Sequence, residues 1–303
     1  MSEHAITVTD LVKEYKNKKA INHMSFQLNE NEIIGLIGAN GSGKTTFFKM
    51  CVGLEDITDG NICVFGEDPR KNMAVRSEMI YSMHDLPVGD KKKLKDIVTY
   101  YAIMYPHFDR EFAEKLIRLF ELPRKKTYKT LSQGMKSMFH FCCALATRCR
   151  VNLLDEPFIG IDIKSRKMAY DILLRDFMEH PRTFVISSHN LAELEKVLSE
   201  MVLIHKGELM FYESMDTVRE MLCRVSGSRE EIDAFVEGMP ADTVINVTHG
   251  EMGSDVILRG SATGDAVQSA EKAGLKVSAV SPEDVTVYLT DNKKEEQMSE
   301  LWD

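Results

Sequence analysis

The sequence predicts an α/β protein organised around a phosphate-binding loop, with a smaller α+β domain after it. Three observations support this. A glycine-rich stretch lies between an apolar strand and a helix, and further apolar strands end in polar residues. After about residue 222 the predicted strands and helices are short and follow one another in a different order. At 303 residues the chain is long enough for one full-sized domain and a smaller companion.

The glycine-rich stretch, residues 38–46, reads GANGSGKTT and satisfies the pattern G-x-x-x-x-G-K-[ST]. It follows the apolar run 33–37 and precedes 47–50, as a loop between a strand and a helix would. Glycines let successive N–H groups converge on one anion, and a helix N-terminus adds positive potential. Lys44 would reach the β- and γ-phosphates, and the Thr45 hydroxyl would hold Mg²⁺. The residues assigned to the nucleotide are Asn40, Gly41, Ser42, Gly43, Lys44, Thr45 and Thr46.

Two stretches before this loop, residues 5–8 and 24–28, alternate apolar and polar side chains, which predicts antiparallel strands with one wet face. Residues 61–66 indicate another strand. Tyr15 lies between the first two and could stack on an adenine ring. A half-buried loop aromatic is the alternative interpretation of Tyr15.

From about residue 91 to 150 the hydrophobic period becomes helical, and Pro123 closes one segment. The predicted apolar face of that segment consists of Phe112, Leu116, Leu119 and Phe120. Residues 131–135 then open another helix, with Ser132 at the N-cap position. A capped helix N-terminus is also an anion site, so both interpretations of Ser132 stay open.

Two carboxylates follow the apolar strand 151–154. Beside a phosphate loop, Asp155 suits the Mg²⁺ shell, and Glu156 can polarise a water for in-line attack. A later strand, 183–188, delivers His189 at its carboxyl end, the edge at which open parallel sheets bind ligands.

Over roughly residues 5–217 these motifs, in this order, resemble the nucleotide-binding subunit of an ATP-binding cassette (ABC) transporter. The resemblance implies a P-loop NTPase fold of ABC type with an antiparallel β subdomain, in a domain of residues 1–217 whose helical insertion is about 91–150. It also implies the following roles: Tyr15 as the adenine-stacking aromatic, 38–46 as Walker A, 131–135 as the signature motif, Asp155 and Glu156 as the end of Walker B, Asp162 as the D-loop aspartate, and His189 as the switch histidine.

The family resemblance further implies a head-to-tail dimer that encloses two ATP molecules. The Ser132 hydroxyl and the Gly134 N–H of one subunit would then donate to the γ-phosphate held by the other. Implied partners are an integral-membrane permease on a separate chain and a second subunit, identical or different. The implied location is the cytoplasmic face of the cell membrane, and the implied subgroup is that of bacterial acetoin-utilisation and antimicrobial-peptide exporters.

Three departures from the family pattern stand out. Gln133 and Met135 replace residues of the usual L-S-G-G-Q signature, although Ser132 is kept. His84 stands where a glutamine usually touches Mg²⁺ or the attacking water; either it substitutes with altered coupling, or the alignment slips and it is an ordinary loop histidine. Phe158 replaces a small polar residue after the Walker B proline, without an evident consequence in the sequence.

Residues 222–291 predict a βαββαβ order and hence a small ferredoxin-like domain, with a turn at His249 and Gly250. This accessory domain could be regulatory, support a dimer or be a packing appendage. Residues 292–303 form a polar tail.

The formal net charge of −9 argues against nucleic acid as the partner of the whole chain. Two basic runs, 91–95 and 124–126, favour a solvated surface over a binding patch. The six cysteines lack metal-binding spacing, and we expect reduced, mostly buried thiols. No run approaches about twenty apolar residues and no signal peptide is evident, so we expect any action on a membrane to require a partner.

The leading hypothesis is therefore an ATP-hydrolysing transporter subunit. One alternative is a degenerate regulatory subunit that binds ATP without hydrolysing it, suggested by His84 and the altered signature. The other is a soluble ABC ATPase that acts outside transport.

Overall fold

A computed structural model describes residues 4–16, 18–83, 91–189, 191–192, 194–240, 242–250, 253–261 and 265–290. The chain divides into two compact units, the first comprising residues 1–189 and 196–212 and the second residues 190–195 and 213–303. The prediction for His84 and that for the tail 292–303 lie outside the described residues.

Two sheets form the first unit. Their strands are β1 (His4–Tyr15), β2 (Lys18–Asn29), β3 (Ile33–Ile37), β4 (Asp59–Val64), β5 (Met79–Met83), β6 (Val151–Asp155), β7 (Thr183–Ser188), β8 (Glu200–His205) and β9 (Glu208–Ser214). The helices are α1 (Lys44–Cys51), α2 (Met73–Ser77), α3 (Leu94–Met104), α4 (Arg110–Leu119), α5 (Gln133–Ala146) and α6 (Ile163–Glu179).

The smaller sheet has the order β2-β1-β4, and both pairings are antiparallel, as the alternating patterns of the first two strands predict. Val8 lies opposite Phe26 on one side and Ile62 on the other. These apolar residues are buried, so one face of the sheet lines the core.

The larger sheet has the order β5-β6-β7-β3-β8-β9. The pairings from β5 through β6, β7 and β3 to β8 are parallel, and every residue of β3 and β6 is buried, which explains their continuous apolar sequences. In this register Asp155 is paired with Ser187, and Ile37 with Ser188. The carboxyl ends of β6, β7 and β3 therefore meet at one edge.

Helix α1 anchors the phosphate loop to the core through two consecutive phenylalanines. Phe47 and Phe48 are fully buried, with ring centroids 5.5 Å from Phe26 and 6.1 Å from Tyr81 respectively. Burial of two aromatic side chains fixes where α1 begins relative to both sheets.

The helical insertion contains α3, α4 and α5, and Asp109 caps α4 by accepting from the Phe112 N–H at 2.9 Å. The predicted apolar face is partly wrong, because Leu119 is 52% exposed. The buried residues are Ala113, Leu116 and Ile117. At about 100° per residue these three share a stripe that Leu119 lies outside.

The second unit has the strands β10 (Leu222–Gly227), β11 (Val244–Gly250), β12 (Gly253–Arg259) and β13 (Lys276–Ala279) and the helices α7 (Met215–Arg219), α8 (Arg229–Val236), α9 (Asp265–Lys272) and α10 (Pro282–Thr290). From β10 to β13 the order is βαββαβ, and the sheet is antiparallel with the order β11-β12-β10-β13. This is the predicted ferredoxin-like arrangement.

The predicted turn at His249 and Gly250 is wrong, since both residues belong to β11 and Gly250 pairs with Gly253. Helix α10 had no counterpart in the sequence prediction. Core residues of this unit include Val225, Ile232 and Val256.

All six cysteines are free, and only Cys63 among them is not buried, in agreement with the expected reduced thiols. Within the described ranges, no helix is both long enough and apolar enough to cross a bilayer.

Candidate functional site

The phosphate loop connects β3 to α1, and its glycines permit contacts that a side chain would block. Gly43 precedes α1 with φ +113°, and a Cβ there would lie 2.7 Å from the Ala20 carbonyl oxygen. The Ser42 hydroxyl is buried and has no hydrogen-bond partner among the described residues. Because a buried hydroxyl normally has a partner, this orphan oxygen fits a site made for a polar ligand such as phosphate.

Lys44 is 6% exposed and its Nζ donates to the carbonyl oxygens of Gly38, at 2.6 Å, and Ala39, at 3.2 Å. Burial lowers the pKa of Lys44, and the carboxylates of Glu156 and Asp155 oppose this effect. The ammonium is therefore held against the loop, within the electrostatic influence of both Walker B carboxylates.

Asp155 accepts three hydroxyl hydrogen bonds. Oδ2 accepts from Thr45 Oγ1 at 2.8 Å and from Tyr81 OH at 3.0 Å, and Oδ1 accepts from Ser187 Oγ at 2.7 Å. The contact between Thr45 and Asp155 joins the two residues predicted to hold Mg²⁺. Burial and the charge of Asp155 raise the pKa of Tyr81, so its phenol stays a proton donor.

Oxygen atoms from one hydroxyl and one carboxylate suit Mg²⁺, which usually takes its remaining ligands from phosphates and water. In the described part of the chain, no cluster of three or more His, Cys, Asp or Glu side chains could hold a metal by itself. The pair of Thr45 and Asp155 therefore fits a nucleotide-bound Mg²⁺ rather than an all-protein metal centre.

Glu156 and His189 form a second pair at the same sheet edge. His189 Nδ1 lies 2.8 Å from Glu156 Oε1, and the Glu156 side chain is only 20% exposed. Glu156 has a left-handed backbone, with φ +48°, and its N–H donates to Ser187 Oγ at 2.9 Å. A non-glycine residue in this region costs free energy and is frequent at functional sites.

Ser187 and Tyr81 are the residues of this site that sequence reasoning missed. Ser187 contacts both Walker B residues, and Tyr81 contacts Asp155 from the neighbouring strand. The only signal in the sequence is a polar atom inside each buried strand, and such an atom needs a partner.

The signature residues form a separate cluster. Ser132 caps α5 by accepting from the Met135 N–H at 3.3 Å, which confirms the N-cap. A Cβ at Gly134 would lie 2.1 Å from the Gly160 carbonyl oxygen, so only glycine lets α5 approach this turn. Asp162 caps α6 by accepting from the Ser165 N–H at 3.0 Å, and this hydrogen bond lowers the pKa of Asp162.

A depression of about 230 Å³ is lined by residues that include Ser132, Gly134 and Asp162. Among the described residues, no hydrogen bond or ion pair joins these three to Lys44, Asp155, Glu156 or His189. The structure thus brings the predicted site residues together as two clusters rather than one.

Tyr15 lies outside both clusters and is 42% exposed. The ammonium of Lys13 lies 4.7 Å from its ring centroid, and Lys13 is held by Glu55 at 2.9 Å and by the Asp56 carbonyl oxygen at 2.7 Å. A cation over one face supports the ring in place. The exposed aromatic surface is compatible with the predicted adenine platform.

Phe158 is buried, with ring centroids 5.3 Å from Phe141 and 4.7 Å from Tyr170. The phenylalanine that replaces the usual small polar residue therefore packs between α5 and α6.

Comparisons with known proteins agree with this geometry. The family model described as ABC transporter matches residues 21–159. The ABC transporter ATP-binding protein YtrB of Bacillus subtilis is 28% identical over 220 residues, which is 73% of this chain and 75% of YtrB. The lipopolysaccharide export system ATP-binding protein LptB of Haemophilus influenzae is 31% identical over 217 residues, 68% of this chain and 88% of LptB.

Among solved structures, a dimeric ATP-binding cassette in a post-hydrolysis state bound to ADP and phosphate has a TM-score of 0.60 with this chain. The two are 18% identical, and the match covers 69% of this chain and 98% of the other. This likeness concerns the fold.

Proposed function

We propose, from the premise that this chain belongs to the family of ABC transporter ATP-binding proteins, that it hydrolyses Mg²⁺-ATP to drive a permease carried on a separate chain. The observation that supports this most directly is the meeting of Thr45, Asp155, Glu156 and His189 at the carboxyl edge of one parallel sheet. The hydroxyl of Thr45 and the carboxylate of Asp155 would bind a metal ion. The carboxylate of Glu156 and the imidazole of His189 would position a water molecule beside it.

In the proposed reaction the amides of the phosphate loop and the Lys44 ammonium bind the β- and γ-phosphates. Thr45 and Asp155 would hold Mg²⁺, which would supply neutralisation of the phosphate charge when bound. Tyr81 and Ser187 keep the Asp155 carboxylate in one orientation through their hydrogen bonds.

Glu156 would take a proton from the attacking water as the water oxygen bonds to the γ-phosphorus and the bond to the β–γ bridging oxygen breaks. His189 holds one oxygen of this carboxylate at 2.8 Å, which orients it. The low exposure of Glu156 strengthens its interaction with the water, because a less aqueous environment screens charges less.

The second cluster, Ser132, Gly134 and Asp162, would act on the nucleotide of a partner subunit. Its separation from the Lys44 cluster within one chain favours this arrangement, as does the dimeric cassette of similar fold. We propose a head-to-tail dimer of identical or different subunits, on the cytoplasmic face of a membrane. The permease would be recovered by affinity capture of the tagged chain from detergent-solubilised membranes.

The test is Mg²⁺-ATP hydrolysis by the purified chain over a range of protein concentrations, with Glu156→Gln and the matched control Glu179→Gln, an exposed residue at the end of α6. We expect specific activity to rise with concentration and to fall by roughly 10²–10³-fold in the Glu156 variant alone.

Retained binding of a fluorescent ATP analogue would show that the Glu156 variant is folded. Equal activity of that variant and the wild type would refute the assigned role. ATP binding without hydrolysis at any concentration would instead support the regulatory alternative.

A further inference from the structure

Hydroxyl groups of the protein occupy most of the Asp155 carboxylate. A carboxylate can accept at about four lone-pair positions, two on each oxygen. Asp155 Oδ2 accepts from Thr45 Oγ1 at 2.8 Å and from Tyr81 OH at 3.0 Å, so both positions on that oxygen are filled. Asp155 Oδ1 accepts from Ser187 Oγ at 2.7 Å. The position that remains for a ligand is therefore on Oδ1.

The two hydroxyl groups on Oδ2 differ in their surroundings. Thr45 is exposed, and its oxygen keeps lone pairs for a metal while its proton stays on Asp155. Tyr81 is only 8% exposed, and its backbone in β5 pairs with Leu153 of the strand that carries Asp155. The rings of Tyr81 and Phe48 meet edge to face, with centroids 6.1 Å apart. This packing holds the phenol of Tyr81 against Oδ2.

The number of open positions on a carboxylate affects which divalent cation it suits. Ca²⁺ takes about six to eight oxygen ligands in a flexible geometry, and carboxylates often bind it through both oxygens. Mg²⁺ demands a near-ideal octahedron and keeps several waters, so one carboxylate oxygen is enough for it. Because Oδ2 is filled, Asp155 offers a cation only Oδ1. This arrangement suits Mg²⁺ better than Ca²⁺.

We propose that Tyr81 determines metal specificity, because its hydroxyl keeps Asp155 from binding a cation through both oxygens and so favours Mg²⁺-ATP over Ca²⁺-ATP. This inference rests on the proposed function for the identity of the nucleotide. Tyr81 is a positioning residue that acts through Asp155. Tyr81→Phe keeps the ring beside Phe48 and opens one position on Oδ2, so both oxygens of Asp155 become available to Ca²⁺.

The experiment is calorimetric titration of the full chain with a non-hydrolysable ATP analogue in Mg²⁺, in Ca²⁺ or in EDTA. For the wild type we expect a lower Kd in Mg²⁺ than in Ca²⁺. Tyr81→Phe should lower the ratio of the Kd in Ca²⁺ to the Kd in Mg²⁺ by about tenfold, the lower end of the effect that loss of a hydrogen-bond partner of a metal ligand has on metal affinity. The Kd in EDTA should be equal in both proteins, which would show that the variant is folded.

Two control variants separate this role from a general effect on the site. Ser187→Ala opens a position on Oδ1 but leaves Oδ2 filled, so it should not change the ratio. Tyr105→Phe removes a phenol hydroxyl in the helical insertion, where the Tyr105 ring stacks on Tyr101, and should not change the ratio either.

The same ratio in Tyr81→Phe and in the wild type would overturn the proposal. So would an equal weakening of binding in Mg²⁺, in Ca²⁺ and in EDTA, or an equal change of the ratio in Ser187→Ala. ATP hydrolysis by the wild type in Mg²⁺ reports on the proposed function separately. Absence of hydrolysis together with the expected ratios would contradict the proposed ATPase activity and still support the role of Tyr81.

Discussion

The Ser187 hydroxyl connects the carboxylate of Asp155 to the backbone N–H of Glu156, and its removal is the sharpest test of how the candidate site is held. Ser187 is fully buried, accepts from the Glu156 N–H at 2.9 Å and donates to Asp155 Oδ1 at 2.7 Å. A buried hydrogen bond to a charged group contributes about 1.5–3 kcal/mol, and an amide left without its partner costs about 1–3 kcal/mol. Because these effects overlap at one atom, we expect Ser187→Ala to lower the free energy of unfolding by about 3 kcal/mol.

The same variant should slow hydrolysis, because the left-handed backbone of Glu156 loses the contact that supports it. A misplaced water-polarising carboxylate costs roughly tenfold to a hundredfold in kcat. Urea unfolding gives the stability change, and Mg²⁺-ATP hydrolysis under saturating ATP gives kcat. Ser82→Ala is the matched control, a buried serine of β5 without a described contact to either carboxylate. Unchanged unfolding and unchanged kcat in Ser187→Ala would refute the reasoning.

Three further predictions follow from other parts of the first unit. Gly134→Ala places a Cβ 2.1 Å from the Gly160 carbonyl oxygen and should lower the unfolding free energy by about 1–3 kcal/mol, measured in urea. Hydrogen bonds from Arg70 lower the pKa of Asp68 to about 2. The stabilisation that they contribute, about 1 kcal/mol after solvent screening, is therefore present above about pH 4 and lost as the pH falls towards 2. The free energies of unfolding of the wild type and of Asp68→Asn, measured over an acid titration, should converge near pH 2. Tyr15→Ala should weaken ATP binding about tenfold, measured by calorimetry, because the stacking surface is lost.

Two of these predictions have a control variant, and the third has a result that would contradict it. Gly238→Ala should be nearly neutral in urea, since a Cβ there meets no atom within 4 Å. Tyr15→Phe keeps the ring and should keep the affinity, so an equal loss in the Phe and Ala variants would contradict stacking. A constant difference between wild type and the Asp68 variant from pH 7 to pH 2 would contradict the assigned pKa.

Local features of the site could be predicted from the sequence because they depend on neighbours along the chain. Ser132 and the loop 38–46 are recognised by residue type and spacing, and the structure has the helix starts that these patterns predict. The same local reasoning was wrong at Leu119, where two faces of a short helix both carried apolar residues. It was also wrong at His249, since the hairpin ladder continues by one more residue and ends at the pair of Gly250 and Gly253.

The sequence by itself determined the family, the order of motifs and the residue types that can bind phosphate and Mg²⁺. Only the tertiary structure decided which of these residues touch: Thr45 with Asp155, Glu156 with His189, and Ser187 with the Asp155 carboxylate and the Glu156 N–H. The physical reason is that parallel strands are joined by crossovers of variable length, so the spacing of motifs along the chain does not specify the sheet order. Here the order β5-β6-β7-β3 sets Asp155 between Tyr81 and Ser187, although neither neighbour belongs to a motif.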